Sequence, residues 1–229
     1  LVQALLLLFQ AILVLFVVEH QAMIDLMKAG VLDVDIRLIF CNRPGAPVLE
    51  RARKAGVPSR MLDHTKFPDR ASFDREMASI IKESGAELVV LAGYMRLLTD
   101  DFLKEFPHRV INIHPSILPG FGGSIHAGQE AVDYGVKLSG CTVHVVEMKV
   151  DSGPVIIQAA VPCNAGDSED DLMTRVHRME HRIYPQAVEW FAENRLRVEG
   201  RHVYLDKADK PLAPMDGESF VWPPLEKGF

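Results

Sequence analysis

"RVINIHPSILP", residues 109 to 119, decides how this chain is read. Val110, Ile111 and Ile113 form a short apolar run of β type, and Pro115 stops it. Strand side chains alternate, so Asn112 and His114 emerge together on one face where the strand ends. In an α/β sheet that is where ligand sites collect. A donor amide beside a titratable imidazole is equipment for chemistry. The plainer alternative is a pair of polar residues closing a strand.

Outward from that stretch, strand-like and helix-like segments alternate. Residues 21–30 read as a helix capped by Gly30, 35–41 as a strand, and 46–56 as a helix ending at Gly56. Residues 69–85 form a longer amphipathic helix closing at Gly85. A buried strand follows at 87–93, then a short helix at 100–107 and the strand at 109–114. The Pro/Gly-rich loop 115–124 leads to a helix at 126–135. Two β-rich segments, 141–148 and 154–161, flank the loop "KVDSG". The last strong element, 168–196, opens with a cap at Asp167 or Ser168 and acidic residues in its first turn. This alternation implies βαβ units in a doubly wound, mostly parallel sheet that becomes mixed after residue 140. The reading is one α/β domain over residues 1–205, with an irregular tail over 206–229.

Bulk properties exclude several function classes. A chain of 229 residues with 48% hydrophobic and 24% charged residues is an ordinary globular protein. A formal charge of −6 offers no broad basic face for nucleic acid. Cys41, Cys141 and Cys163, an odd number without a C-x-x-C pair, fit free thiols in a reducing, cytoplasmic setting. Residues 1–18, "LVQALLLLFQAILVLFVV", carry no charge. Alone they read as a signal-peptide core, a marginal membrane span or a buried first strand; the lack of a basic flank counts against the first two, and the resemblance given below favours the strand, with no membrane partner.

Three further features bear on chemistry. Asp151 sits in a turn before "SGP", where a carboxylate can orient and charge an imidazole, or merely form the turn. "HRMEH", residues 177–181, matches the inverted zincin pattern. It also fits a helix with Leu172, Val176, Met179 and Ile183 in the core, and no third metal ligand is visible. "LAGYMRLL", residues 91–98, ends a buried strand in an apolar loop that could grip a flat ligand or simply pack.

"LAGYMRLL", "INIHPSILP", "SGCTVHVVE", "DSGPVIIQAAVP", "GDSEDDL" and "EHRIYP" together resemble the phosphoribosylglycinamide formyltransferase family, in order and spacing, from about Gln21 to Leu205. The resemblance implies a Rossmann-like formyltransferase fold. It implies transfer of a formyl group from 10-formyltetrahydrofolate to the amine of glycinamide ribonucleotide, in purine synthesis and without a metal. Asn112, His114 and Asp151 match the family's catalytic trio, with Asn112 donating to the oxyanion and His114, held as imidazolium by Asp151, supplying the leaving-group proton. The folate contacts match Arg70, Met95, Arg96, Leu97, Leu98 and Asn112, and a second loop of Glu147, Met148, Lys149, Val150 and Asp151. His177, Arg178, Met179 and Glu180 match the ribonucleotide side, which accounts for "HRMEH" without zinc. A monomer or homodimer is expected.

The chain departs from the family twice. Gly122 stands where the family usually has proline, in a loop one residue longer. More seriously, the family's glycine-rich phosphate loop should fall near residues 14–19, where this chain reads "VLFVVE"; its first glycine is Gly30. Valine resists the positive φ of a phosphate nest and Glu19 repels a phosphate, so ribonucleotide binding should be weak. A shifted reading frame or start site over residues 1–20 would account for the break. Two rivals share the family features: a formyltetrahydrofolate deformylase, which normally carries an additional N-terminal domain, and a catalytically weakened folate-binding protein.

Overall fold

The computed structural model describes residues 11–15, 20–207 and 220–229. The strands are β1 (Ala11–Leu15), β2 (Asp35–Cys41), β3 (Ser59–Met61), β4 (Leu88–Leu91), β5 (Val110–His114), β6 (Leu138–Val145), β7 (Val155–Pro162), β8 (Leu196–Glu199), β9 (His202–Leu205) and β10 (Phe220–Trp222). The helices are α1 (His20–Lys28), α2 (Pro47–Ala55), α3 (Arg70–Ser84), α4 (Asp100–Glu105), α5 (Ala127–Tyr134) and α6 (Glu169–Ala192). One sheet runs in the order β10-β7-β6-β5-β4-β1-β2-β3. β3, β2, β1, β4 and β5 are parallel to their neighbours, whereas β6, β7 and β10 join antiparallel. The change to mixed pairing falls at β6, where the sequence places it.

The parallel half is covered on both faces, as parallel sheets must be. All four residues of β4 are buried, and so are Ile39 and Phe40 of β2. Helices stop where glycine permits a left-handed residue: Gly56 (φ 73) closes α2 and Gly85 (φ 74) closes α3. At the other ends, the Asp69 carboxylate accepts from the Ser72 amide at 2.7 Å, and Ser168 and Asp171 form a reciprocal capping box on α6. α6 lays Leu172, Val176, Met179, Ile183, Ala187 and Trp190 into the core. Its Tyr184 hydroxyl lies 2.6 Å from the Leu91 carbonyl and 3.1 Å from that of Ile111, which ties the helix to β4 and β5 beneath the site.

Two sequence expectations change. α6 ends at Ala192, and the residues after it form an antiparallel hairpin, β8 with β9. Asn194, at φ 54, turns the chain out of the helix. Within the tail expected to be irregular, Phe220–Trp222 pairs antiparallel with β7, burying Val221 against the core. At the N-terminus, Ala11–Leu15 forms a strand between β2 and β4. Residues 1–10 and 16–19, and so most of the segment where a phosphate loop was sought, lie outside the described residues. Among the described residues no helix is long and apolar enough to cross a membrane.

Candidate active site

Strand register builds the site. In antiparallel pairs, directly opposite residues share a face. Asn112 on β5 faces His144 on β6, and His114 faces Thr142, which in turn faces Gln158 on β7. Five polar side chains therefore crowd one patch at the end of β5, and His114, Thr142 and His144 are at most 5% exposed. Each is bonded, as buried polar groups must be. The Thr142 hydroxyl donates to the Ser116 carbonyl (2.7 Å) and accepts from the Leu118 amide (3.0 Å) and Gln158 Nε2 (3.0 Å). These bonds fasten the 115–124 loop over the patch.

Asp151 enters from the β6–β7 connection with a left-handed backbone, φ 49. Its Oδ2 lies 3.2 Å from His114 Nδ1 and accepts from the Gly123 amide at 2.8 Å; its Oδ1 lies 3.5 Å from His144 Nε2. The other His114 nitrogen, Nε2, faces the Phe121 carbonyl at 3.1 Å. Phe121 also has a positive φ, 55, so two strained non-glycine residues meet across His114. A Cβ on Gly122, between them, would sit 3.2 Å from Leu118 Cδ2 and 3.6 Å from Asp151 Cβ. The longer loop with glycine at 122 thus closes tightly around the pair, using the Phe121 carbonyl and the Gly123 amide.

His144 joins this cluster without having been singled out in the sequence. Its Nδ1 lies 2.9 Å from the Val145 carbonyl, while Nε2 sits between Asn112 Nδ2 (3.4 Å) and Asp151 Oδ1 (3.5 Å). A proton on Nε2 points at the carboxylate; without it, Nε2 accepts from the amide. The protonation of this one nitrogen decides whether His144 bonds Asp151 or Asn112. The signal was present: "TVH" repeats the alternation of "INIH", and pairing the two strands puts both histidines on one face.

Burial lowers the His114 pKa below its ordinary value, and the Asp151 carboxylate and Phe121 carbonyl only partly restore it. Both ring nitrogens face acceptors, Asp151 Oδ2 and the Phe121 carbonyl, an arrangement that an imidazolium satisfies and that burial opposes. For Asp151, burial pushes upward, but the His144 contact, the Gly123 amide and His114 outweigh it and hold the carboxyl below its usual range. The pair is an ionised carboxylate beside a ring poised to take a proton.

A cleft opens beside this patch. Arg96, Leu97, Leu98, Asn112, Glu147, Met148, Val150 and Asp151, all among the residues matched to the folate, line it, and Leu91, Tyr94, His144 and Val146 complete it. Its margin is apolar yet open: Leu97, Met148 and Val150 are 56%, 52% and 43% exposed. Such a rim marks a binding surface for a flat apolar ligand. Arg70, Met95 and Lys149 are exposed and do not line this cleft. The Arg96 guanidinium lies over the Phe73 ring at 5.2 Å.

The residues matched to the ribonucleotide divide. His177 is partly exposed on α6 with Nε2 3.9 Å from the buried Glu180 carboxylate, and Arg178 is exposed. Met179 is 2% exposed and packs in the core, so its side chain presents nothing to a ligand. None of the four lines the cleft around Asn112. Among the described residues no group of three or more His, Cys, Asp and Glu side chains could hold a metal ion.

Comparison with known proteins fits this geometry. The Formyl transferase family matches residues 12–188, most of the chain, and the chain belongs to that family. The match begins within β1, ahead of Gln21, where the resemblance in sequence had stopped. The chain is 42% identical over 186 residues to phosphoribosylglycinamide formyltransferase of Escherichia coli, covering 81% of this chain and 87% of that protein. It superposes on glycinamide ribonucleotide transformylase 1 of Symbiobacterium toebii with a TM-score of 0.83 at 44% identity, covering 86% of this chain and 94% of the other. A formyltetrahydrofolate deformylase of Pseudomonas syringae pv. tomato is more distant: 26% identity and a TM-score of 0.78, covering 86% of this chain and 65% of that one.

Proposed function

We propose that this member of the formyl transferase family moves the formyl group of 10-formyltetrahydrofolate onto the primary amine of glycinamide ribonucleotide. The observation that carries the reading is the convergence of Asn112, His114 and Asp151 at the end of β5, beside an open apolar cleft. The cleft takes the flat pteridine, with Leu97, Leu98 and the 147–151 loop against its faces. With the pteridine there, the formyl carbon reaches the polar patch at the Asn112 end. His177 and Glu180 on α6 serve the ribonucleotide.

The amine nitrogen attacks the formyl carbon and the carbonyl electron pair moves onto oxygen. Asn112 Nδ2 donates to that developing oxyanion. His114, neutral with its one proton on Nδ1 toward Asp151, takes the amine proton on Nε2 once the substrate amine replaces the Phe121 carbonyl at that nitrogen. Asp151 stabilises the resulting imidazolium through Nδ1 and keeps the ring oriented. The same proton passes to N10 as the carbon–N10 bond breaks and the carbonyl reforms. The products are the formylated amine and tetrahydrofolate, and the ring returns neutral. A base whose pKa lies near the working pH suits this shuttle. The reaction needs no metal.

Loss of 10-formyltetrahydrofolate, followed with and without glycinamide ribonucleotide, tests the reading. Formylated amine should accumulate in step with tetrahydrofolate, and only when the ribonucleotide is present. Formate released at the same rate without it would assign a hydrolase instead. Because no glycine precedes Gly30, the KM for the ribonucleotide should be high.

A further inference from the structure

Asp74, on the first half of α3, is a buried carboxylate that the reaction does not use. It is 1% exposed, and burial pushes its pKa up. An uncompensated charge there is costly, so its contacts must explain it. Oδ2 accepts from the Thr99 amide at 2.7 Å. Thr99 directly follows Leu98 in the cleft and caps α4, its hydroxyl accepting from the Phe102 amide at 3.3 Å.

The rest of Asp74's surroundings come from the same loop and from α3 itself. Arg70, one turn back on α3, and Arg96, in the loop, both attract the carboxylate. Arg96 lies over Phe73, the residue before Asp74. α3 therefore grips the 94–99 loop twice, through Asp74 at its far end and through Phe73 at its middle. Asp74 Oδ1 and Arg96 Nε are buried without a hydrogen-bond partner, so the carboxylate acts on the arginine by charge rather than by a bond. A neutral acceptor would serve the Thr99 amide equally well. Only a charge also holds two guanidinium groups.

We propose that Asp74 is a positioning residue for the formyl donor: it fixes the 94–99 loop from behind, so that the apolar rim keeps the shape of the pteridine. It rests on the reading of that cleft as the folate site.

Calorimetric binding of tetrahydrofolate and steady-state kinetics on wild type, Asp74→Asn and Asp74→Ala test it. Asp74→Asn keeps an acceptor for Thr99 and removes the charge. It should weaken tetrahydrofolate binding and raise the donor KM about tenfold, the usual scale for a lost charged contact. The ribonucleotide KM should stay constant and kcat should move by less than about twofold. Asp74→Ala should weaken donor binding further. Unchanged donor affinity in Asp74→Asn overturns the inference, as does an equal loss in both KM values with a lowered melting temperature. Failure of wild type to bind tetrahydrofolate would instead overturn the assignment of the cleft, which separates the two claims.

Discussion

The two faces of β6 are equally buried and do opposite work. Cys141, Val143 and Val145 point toward α6 and are at most 3% exposed; Thr142 and His144 point the other way and are at most 2% exposed. On the α6 side, dispersion and the hydrophobic effect hold the strand, and burial with nearby Glu180 pushes the Cys141 thiol pKa up, leaving it inert. On the other side every polar atom is spoken for by a loop or a neighbouring strand. Burial alone does not mark a site. Buried polar groups wired to one another, at the end of a strand, do.

Substitutions on the two faces should therefore fail differently. The largest effect is expected beside the patch. Asn112→Ala removes the oxyanion donor and should lower kcat about 10²- to 10³-fold, with the melting temperature nearly unchanged. A loss of stability as large as the loss of rate would place Asn112 on the structural side. Next, His144→Leu leaves Asp151 Oδ1 without its partner and frees the Asn112 amide. A buried acceptor left unsatisfied costs about 1–3 kcal/mol, so kcat should fall roughly 10- to 100-fold. Equal kcat in the variant would show that His144 only fills space.

Val143→Ala is the converse. Truncating a fully buried aliphatic should cost about 2 kcal/mol of stability, read by denaturant unfolding, while kcat stays within about twofold. The smallest effect is on pH. His114 titrates below its ordinary value when folded, so between the unfolded pKa, near 6.5, and the lower folded one, the unfolded chain binds more protons. Stability must then fall as pH drops through that window. Asp151, also depressed, adds a loss at still lower pH, as its carboxylate is protonated. His114→Gln should flatten the first part of the curve, by an amount on the order of 1 kcal/mol or less. An unchanged slope between pH 7.5 and 5.5 would count against a buried, depressed His114.

How much of this was legible in advance follows from the same contrast. β2 spans the expected residues, and α2 and α3 end at Gly56 and Gly85, because period, caps and left-handed glycines are local signals. The pairing of His114 with Asp151 was legible from strand alternation and a turn, supported by family motifs. His144 was not, since its place depends on the register between β5 and β6, which no single segment encodes. The Phe121 carbonyl and Gly123 amide were illegible for a different reason: backbone groups carry no residue identity. β10 escaped because three residues between polar and proline-rich neighbours show no period. The buried Asp74 looked like one more polar residue on an amphipathic helix, and only the packing of α3 against the 94–99 loop reveals its partner.

The central claim is that Asn112, His114 and Asp151 act as one unit around a single carbonyl carbon. The most direct measurement is a double-mutant cycle on kcat with His114→Gln and Asp151→Asn. Groups that work as a unit are strongly non-additive: either change alone should cost most of the activity, and the second should then cost less than about tenfold more. Two losses that simply multiply would mean that the imidazole and the carboxylate act independently, and the proposed proton shuttle would be contradicted.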